Sequence, residues 1–294
     1  MSRLPDFLII GAMKAGTSSL YRDLLTNPAV FFPADKEPGN LTDDRVLTEV
    51  GRREYERLFR GASEGQICGE ASTTYTKEPD LSGAATRARE VLGPNAKIVY
   101  LVREPVGRII SQHYHEYREG LVGENIDEEV RRHGRYVATS SYAMQVTPWI
   151  EAFGADRVEM FLFETYVGDR VATVEAVSHF IGAPPRGELV DPDGRYNRGE
   201  EAAVPTGFWQ AFYQNTFYRR LLRPLLPLDT RAFLRNLVAP KPPPRPAPPS
   251  RTTIEHLLEK LSDDSARLAS LMGRSEPPWR PEDALKHARE AKGR

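Results

Sequence analysis

Phe7-Leu-Ile-Ile-Gly11-Ala-Met-Lys14-Ala-Gly16-Thr17-Ser18-Ser19-Leu20-Tyr21 is an apolar run, a small-residue loop holding one lysine, and a hydroxyl-rich start of a helix. Asp6 to Ile10 is apolar and β-branched enough for a buried parallel strand. Thr17 to Leu25 puts Leu20, Leu24 and Leu25 on one face of a helix that stops at Asn27-Pro28. A strand, a glycine-bearing turn and a helix N-terminus bring backbone N–H groups and the positive end of a helix dipole to one point. A phosphate is the expected occupant; the plainer alternative is a Gly/Ser turn with a solvated lysine.

The loop departs from a nucleotide-triphosphate P-loop in one informative place. That motif reads G-x-x-x-x-G-K-[ST]. Gly11 and Gly16 keep its spacing, but Thr17 stands at the lysine position and the loop's lysine is Lys14. A second motif follows another apolar run, Ala96-Lys-Ile-Val-Tyr-Leu-Val102, which leads into Arg103-Glu104-Pro105-Val106-Gly107-Arg108-Ile109-Ile110-Ser111. Pro105 suits the first turn of a helix, where its missing N–H costs nothing. Ser111 lies eight residues beyond Arg103, about two helical turns, so a guanidinium and a hydroxyl can meet one anion. The planar fork of arginine can hold a phosphate bidentately.

Lys-x-Gly-Thr-Ser-Ser, followed by Arg-x7-Ser after a central strand, resembles the sulfotransferases that use 3′-phosphoadenosine 5′-phosphosulfate. The likeness is greatest to the heparan sulfate N- and 3-O-sulfotransferase group and its bacterial relatives. Val30-Phe-Phe-Pro-Ala-Asp-Lys36-Glu37-Pro38 is similar to that group's Lys-Glu-x-His-Phe-Phe segment, and Gly69-Glu70-Ala71-Ser72-Thr73-Thr74-Tyr75 to its Gly-Glu-Lys-Ser-x-x-Tyr segment. Ser141-Tyr142, Trp149 and Val158 to Glu164 continue the resemblance, which covers roughly residues 5–200 and returns weakly over Leu268 to Trp279. Two departures stand out. Pro-Gly-Asn-Leu follows Lys36-Glu37 in place of His-Phe-Phe, and Ala71 replaces a lysine that contacts a sulfated sugar in the heparan enzymes. The chemistry is therefore expected without their polysaccharide specificity.

The resemblance implies roles residue by residue. Lys14 neutralises the bridging oxygen and departing phosphate, while Lys14, Ala15, Gly16, Thr17, Ser18 and Ser19 grip the donor's 5′ end. Arg103 and Ser111 take the 3′-phosphate. Glu37 matches the group's general base, with Glu70 as second choice; no histidine precedes His113. Tyr196, Asn197 and Arg198 are candidates for a clamp over the adenosine, an ordinary surface loop being the alternative. Glu70, Ser72, Tyr75, His115 and Trp209 are candidates for the acceptor side. Sulfuryl transfer of this kind requires no metal, and no residues have metal-ligand spacing. The product would be adenosine 3′,5′-bisphosphate and the acceptor a small molecule, lipid or sugar. The rival classes are a P-loop kinase and a nucleotide-binding module without transfer.

The 294 residues suit one α/β domain with extensions. Candidate strands are 6–10, 29–33, 66–70, 97–102 and 158–163, with helices near 17–26, 51–60, 80–92, 105–119, 141–153 and 170–181. This alternation predicts a P-loop-like three-layer α/β/α fold with a central parallel sheet and a C-terminal helical extension. The expected divisions are a core over residues 1–204, an aromatic helical segment over 205–239 that could wall the acceptor pocket, a Pro-rich connector over 240–250, and an extension over 251–294 whose last dozen residues fray. The net charge of −1 gives no general pull toward nucleic acid. Cys68 is the only cysteine, and no segment has the length of a membrane span, which fits a cytoplasmic, bacterial enzyme, monomeric or homodimeric.

Overall fold

The computed structural model describes residues 3–194 and 243–292. Five strands, β1 (Phe7–Gly11), β2 (Val30–Phe31), β3 (Ile67–Ala71), β4 (Lys97–Val102) and β5 (Val158–Leu162), form one sheet in the order β2-β3-β1-β4-β5. Every neighbouring pair is parallel. β2 pairs over two residues only, Val30 with Ile67 and Phe31 with Cys68, because Pro33 brings no ladder donor to prolong it. β1 sits in the middle, with the chain working outward on one side to β2 and β3 and on the other to β4 and β5. The crevice outside the carboxyl ends of β1 and β4 is thus the switch point where such sheets bind ligands.

Alternation along β1 builds both faces. Leu8 and Ile10 pack with Tyr100 and Val102 against Tyr55 of α2 (Glu49–Arg57), Ala88 and Val91 of α3 (Ala84–Leu92), and Val146 and Trp149 of α7 (Tyr142–Phe153). Phe7 and Ile9 pack with Val99 and Leu101 against Leu20 and Leu24 of α1 (Thr17–Leu25) and Val174, Val177 and Ile181 of α9 (Arg170–Ile181). The expected three layers are present. Asp23 of α1 is completely buried and paired with Arg170 at 2.6 Å, with the Tyr166 hydroxyl of α8 (Phe163–Gly168) donating to the same carboxylate.

A third cluster lies beyond the sheet. Val106 and Ile109 of α4 (Pro105–Arg118) meet Ile126 and Val130 of α5 (Ile126–Arg132), Leu257 and Leu261 of α10 (Arg251–Leu271), and Ala284 and Ala288 of α11 (Pro281–Lys292). The frayed end expected from composition is therefore corrected: residues 281–292 form a helix because alanines at spacing four give it an apolar stripe. The connector from Pro243 to Ser250 has no regular structure and lies across α4. Tyr114 donates to the Pro243 carbonyl at 3.3 Å, and the Arg245 guanidinium stands 4.9 Å from the Tyr114 ring centre. Asp264 of α10 accepts from Ala143 and Met144 N–H at 2.9 and 2.8 Å, capping α7.

Candidate functional site

The loop after β1 turns tightly. Ala12 N–H donates to the Leu101 carbonyl at 2.6 Å, and Ala15 N–H closes a turn on Ala12 at 3.1 Å. Ala15 is thus buried, with its N–H spent inside the loop. Lys14 adopts a left-handed backbone, φ 66°, and Gly16 another, φ 92°, at the start of α1. That helix has neither a side-chain cap nor an acid in its first turn, so its opening N–H groups keep their capacity for an anion. Thr17 is buried there, with Ser18 and Ser19 half-buried beside it.

Arg103 leaves the carboxyl end of β4 and reaches back to this loop. Its Nη1 donates to the Lys14 carbonyl at 3.3 Å, its guanidinium lies 4.7 Å from the Phe163 ring centre, and its own carbonyl accepts from the Tyr142 hydroxyl at 2.7 Å. α4 follows, capped by the buried Glu104 carboxylate, which accepts from Val106 and Gly107 N–H at 2.9 and 2.5 Å. Burial pushes Glu104 up to about 7, against the pull of those two N–H groups. Glu164 joins this corner to the C-terminal part of the chain. One of its oxygens accepts from Glu104 N–H at 2.8 Å and the other from Trp279 Nε1 at 2.9 Å.

Ser111, His115 and Arg118 follow one face of α4 at spacings of four and three. Burial, then the Arg118 and Arg103 charges, push the Lys14 ammonium down to about 8, with Glu119 opposing and Lys36 adding to the effect. The His115 imidazole is pushed down to about 4, by burial first and by Lys14 next. The structure therefore brings Lys14, Arg103, His115, Arg118 and Lys36 close enough to act on one another's charge at the switch point, with Glu119 as the opposing carboxylate. Arg118, buried beside the Tyr114 ring, was not anticipated from sequence; extending the Ser111–His115 spacing by one more turn would have found it.

Glu37, next to Lys36 in sequence, has a left-handed backbone with φ 63°. Its Oε1 accepts from Lys36 Nζ at 2.5 Å, and its Oε2 from Thr73 N–H and Oγ1 at 2.7 and 3.1 Å. A carboxylate has about four acceptor positions, so one stays open for an incoming proton. The loop carrying Glu37 is strapped to the end of β3 through alternate N–H groups. Glu37 donates to the Ala71 carbonyl at 3.0 Å, Gly39 to Ser72 Oγ at 3.2 Å and Leu41 to the Tyr75 hydroxyl at 3.2 Å.

Glu70, Ser72 and Tyr75, the acceptor-side candidates, lie behind this loop. All three are buried, and Glu70 accepts from Ser72 Oγ at 2.8 Å and from the hydroxyls of Tyr55 and Tyr75. Burial raises the Glu70 carboxyl, and burial beside Glu70 raises both tyrosines well above their ordinary value. Through Ser72 and Tyr75 the cluster anchors the Glu37 loop from behind. Tyr196, Asn197, Arg198 and Trp209 lie outside the described residues. Among the described residues no cluster has the makings of a metal site, and no helix is long and apolar enough to cross a membrane.

Residues 75–194 match the sulfotransferase domain family model, a span that includes Arg103 and Ser111 and begins beyond Lys14 and Glu37. The chain is 28% identical over 188 residues to the human heparan sulfate glucosamine 3-O-sulfotransferase 6, a match covering 61% of this chain and 53% of that protein. It is 23% identical to the mouse bifunctional heparan sulfate N-deacetylase/N-sulfotransferase 4, across 70% of this chain and 24% of that protein. The chain thus spans about half the length of the first of these relatives and about a quarter of the second. The crystal structure of a sulfotransferase from Alicyclobacillus acidocaldarius superimposes with a TM-score of 0.64 at 25% identity, covering 92% of this chain and 97% of that one.

Proposed function

We propose, from the kinship with sulfotransferases, that this chain moves a sulfuryl group from 3′-phosphoadenosine 5′-phosphosulfate to a hydroxyl, or an amine, of a small-molecule, lipid or carbohydrate acceptor. The observation carrying this reading is the half-buried pair Lys14 and Arg103 at the carboxyl ends of β1 and β4, with buried Arg118 of α4 acting on Lys14, beside a helix start with no acid in its first turn. Such a group matches a ligand with two separated anionic ends. The donor supplies the sulfuryl group and its leaving phosphate; everything else falls to side chains and backbone.

Lys14 faces the phosphate that departs with the electron pair of the broken sulfur–oxygen bond, and its ammonium offsets that charge. The opening N–H groups of α1 hold the same end. Arg103 and Ser111 take the 3′-phosphate. Glu37 removes the acceptor's proton as the new bond to sulfur forms, its carboxylate aimed by Thr73 and Lys36. Positioned charge of this kind contributes about 3 kcal/mol per group to such a transition state. The buried single thiol of Cys68 accords with a reducing cytoplasm.

Calorimetric titration with adenosine 3′,5′-bisphosphate, beside ATP with magnesium, is the deciding experiment. Binding of the bisphosphate without metal, and none of ATP, is expected. Magnesium-dependent ATP binding would favour a kinase. With a labelled donor and an acceptor screen, Glu37→Gln should keep bisphosphate affinity and lose turnover by about 10²- to 10⁴-fold; wild-type turnover would refute the assignment of the base.

A further inference from the structure

Arg108 has no place in the mechanism above, yet its side chain is completely buried. The hydrogen-bond partners the structure gives it are all neutral. Nε donates to Ser140 Oγ at 2.8 Å, Nη2 to the Tyr136 carbonyl at 3.1 Å, and Nη1 to Gln112 Oε1 at 2.7 Å and the Met13 carbonyl at 3.4 Å. The nearby Glu116 carboxylate reaches it only through Gln112, whose Nε2 donates to Glu116 at 2.8 Å, and a buried guanidinium without a directly bonded counter-charge is a poor choice for filling a core. The contact with Met13 suggests its use. Met13 and Lys14 are consecutive, and their two carbonyls are held by two different arginines, Arg108 and Arg103.

These carbonyls belong to the two peptide planes on either side of the Lys14 Cα. Because each plane is rigid, fixing both carbonyls fixes the rotation between them. That rotation is the left-handed one, φ 66°, which a residue with a side chain adopts only when its surroundings impose it. We propose that Arg108 is a positioning residue for sulfuryl transfer: with Arg103 it clamps the loop so that Lys14 stays left-handed and its ammonium stays among the site's other charges. The proposal rests on the sulfotransferase reading. It separates Arg108, which aims the lysine from behind, from Arg103, which also faces the pocket.

Arg108→Lys keeps a charge but replaces the planar fork with a point donor that cannot span four partners. The expected result is turnover per bisphosphate-binding site reduced about tenfold or more, with bisphosphate affinity within about threefold of wild type. A residue needed only for folding would lower the number of binding sites and leave turnover per site unchanged; that result overturns the proposal. The pH midpoint of Lys14 acetylation, followed by peptide mass spectrometry, is a second readout. Burial first, then Arg118 and Arg103, with Lys36 adding and Glu119 opposing, push Lys14 down to about 8 beside His115; released from that enclosure, it should move toward its ordinary 10.5.

An unchanged midpoint in the folded variant also overturns the clamp. Should Arg108→Lys fail to fold, Ser140→Ala removes only the anchor on Nε, and the same two measurements decide by the same outcomes. Wild-type protein that binds no bisphosphate and transfers nothing defeats the sulfotransferase reading instead, and the acetylation midpoint still judges whether Arg108 holds Lys14.

Discussion

A methyl group on Gly16 would stand 2.7 Å from Cδ2 of Phe163, on a backbone already at φ 92°. Phe163 carries the Arg103 guanidinium on its ring. Gly16→Ala should therefore cost about 1–3 kcal/mol of stability and, by displacing Phe163, weaken bisphosphate binding as well. Thermal melts beside calorimetry test this, and undiminished affinity would show that Gly16 and Arg103 are independent. Lys14 makes a different prediction. In the mechanism proposed above only its ammonium form offsets the leaving phosphate, so kcat/KM for the donor should fall as pH rises through about 8, the value to which burial and Arg118 push it. Lys14→Met should lose about 10²- to 10³-fold in turnover and show no such limb. At this scale the places of Lys14, Gly16 and Arg103 just beyond the carboxyl ends of β1 and β4 could be read directly, because strand–loop–helix spacing fixes where a loop residue stands. Arg108 and Arg118 could not. An arginine on a helix looks the same whether it is solvated or buried, and burial here depends on α6 (Arg135–Ser140) and on the loop after β1, both remote in sequence.

Among the elements, α4 carries Ser111, His115 and Arg118, and its N-terminus is capped by a carboxyl pushed up to about 7. Between its ordinary 4.5 and that value the folded chain keeps a proton that the unfolded chain has released. The stability this contributes is full below pH 4.5 and is lost as pH rises through about 7. Its size is about 3 kcal/mol at most. Glu104→Gln, which can still accept one N–H bond, should flatten the fall in melting temperature between about pH 5 and 8; an equal fall in both proteins would refute this. The longer elements were legible: α1, α4 and α9 begin at the expected Thr17, Pro105 and Arg170, and β4 spans the expected Lys97–Val102. α5, α6 and α8, of seven, six and six residues, are too short for a helical period to stand out, and their formation follows from packing on α4 and β5.

For the whole molecule, the layered sheet was legible and the helical third cluster was not, because α4, α5, α10 and α11 meet across more than a hundred residues of chain. The buried Asp23–Arg170 pair joins α1 to α9 and so steadies the helix that opens at the anion site. Arg170→Met leaves Asp23 buried without its cation and should cost about 3–5 kcal/mol, measurable by urea unfolding; a loss below about 1 kcal/mol would place the pair among weak surface contacts.

The strand order also has a consequence for synthesis on the ribosome. β1 is the first of the five strands to be made and the middle one in the sheet, so its apolar residues have no partners until Ile67–Ala71 and then Lys97–Val102 have emerged. The corner that holds Arg103 waits longer still, since Glu164 takes its second bond from Trp279 and α7 its cap from Asp264. A nascent chain is thus expected to expose the apolar residues of β1 early and to assemble the corner around Arg103 only after Trp279 has emerged.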